Sequence, residues 1–144
     1  MASDASPPYF RLASPAVELL PIQPDGMSPP AARYAHAVLV DGPERFLHTS
    51  GVVPVQADGT VPADLATQAE VVWSNLEAIL DAAGMERTDI VSVTTYVVPD
   101  QDLREVMAAR DRALGGHLAS STLVVVAELA QMAWKVEVAV VAAR

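Results

Sequence analysis

Residues 64–98 read DLATQAEVVWSNLEAILDAAGMERTDIVSVTTYVV, and the two halves of this stretch keep different periods. In the first half Leu65, Ala69, Val72, Leu76, Ile79 and Leu80 recur at three- and four-residue spacing, which predicts a helix with one apolar stripe. Asp64 stands where an N-cap belongs, and Gly84 stands where a left-handed residue would end the helix near Ala83. From Asp89 to Val98 the chain turns rich in β-branched residues, which predicts a strand, stopped by Pro99. An amphipathic helix leading into an apolar strand is one layer of helix on one layer of sheet. The flanking segments decide the class.

C-terminal to this unit, residues 101–116 (QDLREVMAARDRALGG) predict a second helix closed by Gly115 and Gly116. Leu103, Val106, Met107, Arg110 and Leu114 trace its inward side; Arg110, the one charge in that stripe, is expected to serve the surface, the alternative being that it reaches inward one turn after Met107. Strands are expected over 121–128 and 134–142. On the N-terminal side, AHAVLV (35–40) and RFLHTSG (45–51) flank Asp41-Gly42, a turn signal that predicts a β-hairpin. The order β-β-α-β-α-β-β defines an α+β fold, with two helices on one face of a mixed sheet. Seven of the eleven prolines lie in the first 30 residues. Residues 1–33 are therefore expected to be an extension, partly extended or disordered, and YFRLAS (9–14) is its candidate edge strand. Residues 34–144 form the single expected domain.

The totals narrow the function. Of 144 residues, 51% are apolar and 19% charged, a balance that suits a fold with part of its surface covered in an oligomer. A formal net charge of −9 with no basic cluster repels phosphate backbones, so nucleic acid is not an expected partner. The lack of cysteine excludes disulfides, thiolate nucleophiles and cysteine metal sites. The first residues lack the pattern of a secretion signal, and no apolar run is long enough to span a membrane as a helix. A cytoplasmic protein without a membrane partner is expected.

No phosphate-binding loop, dinucleotide fingerprint, metal-ligand cluster or nucleophile elbow is present, so no cofactor and no metal are expected. His36 and His48 read as a surface pair across the hairpin, and His117 stands apart. Ser50-Gly51 ends a strand, where a hydroxyl and a flexible backbone can meet a ligand. The sharper oddity is Glu137 in WKVEVAVV (134–141), a carboxylate inside an apolar run. Alternation puts it on the face of Lys135, Ala139 and Val141. Two readings stand: a solvated edge, or a carboxylate held in a cleft within reach of a substrate proton.

Several pieces taken in order resemble the RidA (YjgF) family: RYAHAV (33–38), FLHTSGVVPV (46–55), the first helix (63–84), DIVSVTTYVVPDQDLREV (89–106) and VVVAELAQMAWKVEVAVVA (124–142). The resemblance spans roughly 110 of the 144 residues. It implies a chorismate-mutase-like fold and a homotrimer with clefts at its subunit interfaces, hydrolysing reactive enamines or imines without metal or cofactor. It further implies that Glu137 handles the attacking water, with Tyr34, Ser50, Gly51 and Val52 in the cleft. Four positions depart from the family. Ala119-Ser120-Ser121-Thr122 stands for a Pro-x-Arg-Ser stretch, so Ser121 replaces a carboxylate-binding arginine. Met107 replaces an asparagine and Leu123 a small cysteine, while Val52 stands for a frequent glutamine. A serine offers one neutral hydrogen bond where a guanidinium offers a bidentate charged pair. The expected substrate is therefore an apolar or uncharged imine or enamine. The alternatives are another Glu137-dependent pocket enzyme, a tautomerase or cyclase of specialised metabolism, and a non-catalytic trimeric binder of small molecules.

Overall fold

The computed structural model describes residues 17–144. Asp64 caps the first helix, α1 (Leu65–Ala82): its carboxylate accepts from the Thr67 N–H at 2.8 Å. Gly84, at φ 65°, lets the chain leave the helix in the left-handed region. The second helix, α2 (Leu103–Leu114), is capped by Asp102 and closed by Gly115 at φ 57°. Both follow the predicted periodicity because each has one apolar stripe to bury.

Six strands complete the fold: β1 (Glu18–Ile22), β2 (Ala37–Asp41), β3 (Phe46–His48), β4 (Ile90–Val97), β5 (Ser120–Val125) and β6 (Val136–Ala143). Four of them form a sheet in the order β3-β6-β4-β5, antiparallel except for the parallel β4–β5 pair. β1 and β2 form a separate antiparallel pair, joined to the β5 edge by a single parallel bridge between Ala35 and Ser120. On β4 and β6 the buried residues alternate. Val93, Thr95 and Val97, with Val136, Val138, Val140 and Ala142, face the helices and meet Val72, Leu76, Leu80, Val106 and Leu114 in one core. Thr94, Tyr96, Glu137, Ala139 and Val141 point to the other face, which no helix among the described residues covers.

Two expectations are corrected. The 35–40 and 45–51 segments do not form a hairpin: β2 pairs with β1, and β3 pairs with β6. The Asp41-Gly42 corner turns the chain, but the Glu44 and Arg45 N–H groups both donate to the Arg144 carbonyl, which commits the next strand to β6. Second, the surface pair expected of His36 and His48 across that hairpin does not form: His36 precedes β2, which pairs with β1, and His48 ends β3, which pairs with β6. Within the 1–33 segment, Glu18–Ile22 is extended and makes a five-residue ladder with β2. The candidate strand at 9–14 lies outside the described residues.

Candidate active site

Glu137 sits in the middle of β6, half-buried on the uncovered face, directly across from Tyr96 of β4. Its carboxyl group lies over Gly51. A Cβ built on Gly51 would fall 1.7 Å from Glu137 Oε1 and 2.5 Å from its Cδ. Gly51 is thus the residue whose missing side chain makes the seat for the carboxylate. Its neighbour Val52 fixes the approach, because Val52 and Val138 exchange backbone hydrogen bonds at 2.8 and 3.0 Å. Ser50, one residue earlier, is exposed beside this seat.

A cavity of about 330 Å³ opens over the same spot. Gly51, Tyr96, Glu137 and Ala139 form its floor, and Val126, Glu128, Leu129 and Ala130 of the β5–β6 loop form its wall. That loop is tethered from beneath by Gln68 of α1, which is fully buried. The Gln68 amide donates to the Pro62 and Ala133 carbonyls at 2.7 and 2.8 Å, and its oxygen accepts from the Lys135 N–H at 2.8 Å. The last of these bonds lies two residues before Glu137, so α1 sets where β6 begins. Tyr96, Glu128 and Gln68 were not singled out from sequence. Only Gln68 left a trace there, as a polar residue inside the α1 stripe.

The remaining candidates stand elsewhere. Register places Ser121 beside Val93 and Leu123 beside Thr95, both of which face the helices. Ser121 and Leu123 therefore lie on the helix-covered face, opposite to Glu137. Met107 lies half-buried on α2. Tyr34 is brought to the same sheet edge by the Ala35–Ser120 bridge, with its ring edge-on to His36 at 5.9 Å. So the chain forms two groups. One holds Ser50, Gly51 and Glu137, with the Val52 side chain turned behind them against the core; the other holds Tyr34, Met107, Ser121 and Leu123.

Arg110 belongs to the second group, and the surface role expected for it does not hold. It is 5% exposed, and its Nη1 donates to Ser121 Oγ at 3.1 Å. Its Nε and Nη2 both donate to Asp111 Oδ1, at 3.1 and 2.8 Å. A charge thus stands at the position where Ser121 alone would have left none.

A larger cavity, about 550 Å³, lies between α1 and α2 around Glu70, Glu77, Asp81, Arg87 and Arg112. Its exposed Arg112–Glu70 pair is a surface ion pair, and none of the sequence candidates lines it. Size is a weaker guide here than the carboxylate seated on Gly51. Among the described residues no group of three or more His, Asp or Glu side chains is placed to hold a metal ion, and no helix is long and apolar enough to cross a membrane.

Two helices layered on one face of a mixed sheet, with a carboxylate seated on a strand-end glycine on the other, define a small α+β protein with a pocket on the open face of its sheet. The profile of the family described as Endoribonuclease L-PSP matches residues 26–144. The chain belongs to this family, which includes the Rid/YjgF proteins. It is 40% identical over 73 residues to the 2-iminobutanoate/2-iminopropanoate deaminase of Escherichia coli, a match covering 50% of this chain and 57% of that protein. The chain spans about half the length of the curated relatives it matches. Among solved structures it resembles YyfB of Yersinia pestis, described as a Rid-family protein of unknown function, with TM-score 0.80 and 28% identity over 88% of this chain and 98% of that one. It also resembles the YjgF gene product of Escherichia coli, with TM-score 0.64 and 33% identity over 77% and 87% of the two chains.

Proposed function

We propose that the protein is a Rid-type deaminase that hydrolyses a small imine or its enamine tautomer. The observation that carries this reading is the Glu137 carboxylate seated against Gly51 beneath an open cavity. A likeness to a relative named for iminobutanoate and iminopropanoate deamination supports it. Water adds to the imine carbon while Glu137 takes up one of its protons and returns it to the nitrogen, so C=N becomes the C–N bond of a carbinolamine. Transfer of the carbinolamine hydroxyl proton to nitrogen then breaks that bond, ammonia leaves, and the carbon becomes a carbonyl. Hydrolysis of an imine needs a positioned base and a positioned water, with no change in oxidation state.

The two groups of candidates, on opposite faces of one sheet, cannot close on one ligand within a single chain. A homotrimer with clefts between subunits would set the Glu137 group of one copy against the Ser121 group of the next. The open sheet face carries apolar side chains suited to such a contact: Val124, in register with Tyr96, is 38% exposed. The expectation of an uncharged substrate rested on Ser121 acting without a cation. Arg110, which donates to Ser121 Oγ at 3.1 Å, weighs against that expectation. An RNA-cleaving role drawn from the family's name fits poorly with a net charge of −9.

The test is ammonia release from an imine generated in situ by an amino-acid oxidase. Wild-type protein should accelerate it, and Glu137→Gln should reduce the acceleration by about 100-fold or more, within the range expected for a positioned general base. No acceleration with imines of either apolar or acidic amino acids would overturn the reading.

A further inference from the structure

We propose that Tyr96 is a second catalytic residue, its phenol relaying the proton that releases ammonia while Glu137 handles the water. This rests on the deaminase reading and deepens it.

The sheet brings the two groups together. Tyr96 of β4 and Glu137 of β6 are direct partners in the antiparallel ladder, and both are half-buried on the open face. Side chains so placed have Cβ atoms about 4.5–5.5 Å apart and project side by side. Both line the cavity of about 330 Å³, where Gly51 and Ala139 leave room beside the pair. On its other flank Tyr96 is in register with Val124 of β5, so its ring has an apolar neighbour on one side and the carboxylate on the other.

The hydroxyl is left for a ligand. A buried tyrosine usually finds a partner for its O–H, and a face that needed only an aromatic ring would be served by phenylalanine. Among the described residues the Tyr96 hydroxyl makes no hydrogen bond, and it is not sealed away, since Trp134 Nε1 is the single buried side-chain polar atom there without a partner.

The reaction has a use for such a group. Ammonia leaves the carbinolamine when a proton passes from its hydroxyl to its nitrogen. Oxygen and nitrogen sit on one carbon, so direct transfer goes through a strained small ring. A hydroxyl that donates and accepts at once bridges them without that strain. Tyr96 gives its proton to the nitrogen as it takes the proton of the carbinolamine hydroxyl. The C–N bond breaks, its electron pair leaves with ammonia, and the oxygen's freed pair closes the carbonyl. Tyr96 ends as it began, and no oxidation state changes. Glu137, already ionised again after returning its proton, only accepts and is ready for the next water.

The experiment pairs turnover with binding. With an imine generated in situ by an amino-acid oxidase, Tyr96→Phe should lower kcat about 10- to 100-fold and leave KM within about twofold, because only proton transfer is lost. A ring that merely packs predicts a lower Tm with kcat unchanged. The binding arm needs no turnover. Trifluoropyruvate, which water converts to a stable geminal diol, stands for the carbinolamine, and pyruvate stands for the planar product. Wild-type protein should bind the diol at least about tenfold more tightly than pyruvate. Tyr96→Phe should weaken the diol about 3- to 10-fold and leave pyruvate within about twofold. The relay is overturned, and the deaminase reading kept, if wild-type protein speeds ammonia release and Tyr96→Phe holds kcat within about twofold of it. If wild-type protein releases no ammonia yet binds the diol through Tyr96, the hydrolase reading falls and the hydroxyl keeps its ligand. Diol and pyruvate bound alike by both proteins would overturn that contact as well.

Discussion

Replacing Gly51 by alanine tests the active-site geometry more sharply than removing Glu137 does. The backbone at Gly51 is not in the left-handed region, so alanine fits it without strain. Its methyl carbon would fall 1.7 Å from Glu137 Oε1, 2.5 Å from Cδ and 2.8 Å from Cγ. Contact between a methyl and a carboxylate oxygen needs roughly 3 Å, so the oxygen must retreat by about 1.3 Å or the side chain must change rotamer. Because the obstacle is the end of a flexible side chain, the fold should absorb it for about 1 kcal/mol or less. The lower chain entropy of alanine in the unfolded state offsets part of that. Catalysis should not absorb it: misplacing a reacting group by about 1 Å can cost on the order of 100-fold in rate. Ammonia release should therefore fall by about two orders of magnitude while the melting temperature moves by only a few degrees. On a Glu137→Gln background the same substitution should do nothing further, since the two changes act on one carboxylate. A Gly51→Ala protein within about twofold of wild-type activity would refute the claim that the carboxylate works from this seat.

Three further outcomes are expected. Gln68→Leu is nearly isosteric but strands the Pro62 and Ala133 carbonyls and the Lys135 N–H, so it should cost about 2–3 kcal/mol and lower Tm by roughly 5–10 °C in a calorimetric scan. The Asp64 carboxyl is held below its ordinary range by the Thr67 N–H and hydroxyl, so its contribution to stability is present above the ordinary carboxylate pKa and is lost as pH falls through its lowered folded value. Asp64→Asn keeps a cap but cannot titrate. Denaturant melts should show a difference from wild type that is full at neutral pH and shrinks as pH drops below about 4. Tyr96→Phe keeps the ring across from Glu137 and removes its hydroxyl, so it should leave Tm unchanged within error in the same scans. A large loss would mean that the hydroxyl is bonded within the fold.

What the sequence disclosed follows the range of the forces involved. α1, α2, β4 and β6 were legible because each carries its own period, and Asp64 and Gly84 mark the ends of α1 within four residues of chain. β1 was not legible: ELLPI has no alternation and contains Pro21, and it becomes a strand only because β2 offers it a partner. The hairpin between β2 and β3 failed for the same reason. Asp41-Gly42 is a local signal, while the bonds from Glu44 and Arg45 to Arg144 come from 99 or more residues away. Glu137 and Gly51 could be singled out one at a time, but their contact exists only through the Val52–Val138 bridge. Arg110 was visible as a charge in an apolar stripe. Its partner was not, because the pairing of Ser121 with Val93 decides which face Ser121 presents to α2.

The separation of the two groups constrains any mechanism for this protein. Side chains on opposite faces of a sheet stand about 10 Å apart once both project outward, and β4 and β6 lie between them. No rotamer change brings Ser121 or Arg110 to the carboxylate of Glu137. A chain acting alone holds the Glu137 carboxylate on one face and the Arg110–Ser121 pair on the other. On the proposed deaminase reading, neither face alone both holds the ligand and delivers water to it. Dilution should then abolish turnover with the concentration dependence of subunit dissociation. Mixing Glu137→Gln with Arg110→Gln chains should restore part of the activity that each lacks, because some clefts would receive one intact group from each partner. Full activity in a monomeric sample would refute the shared site.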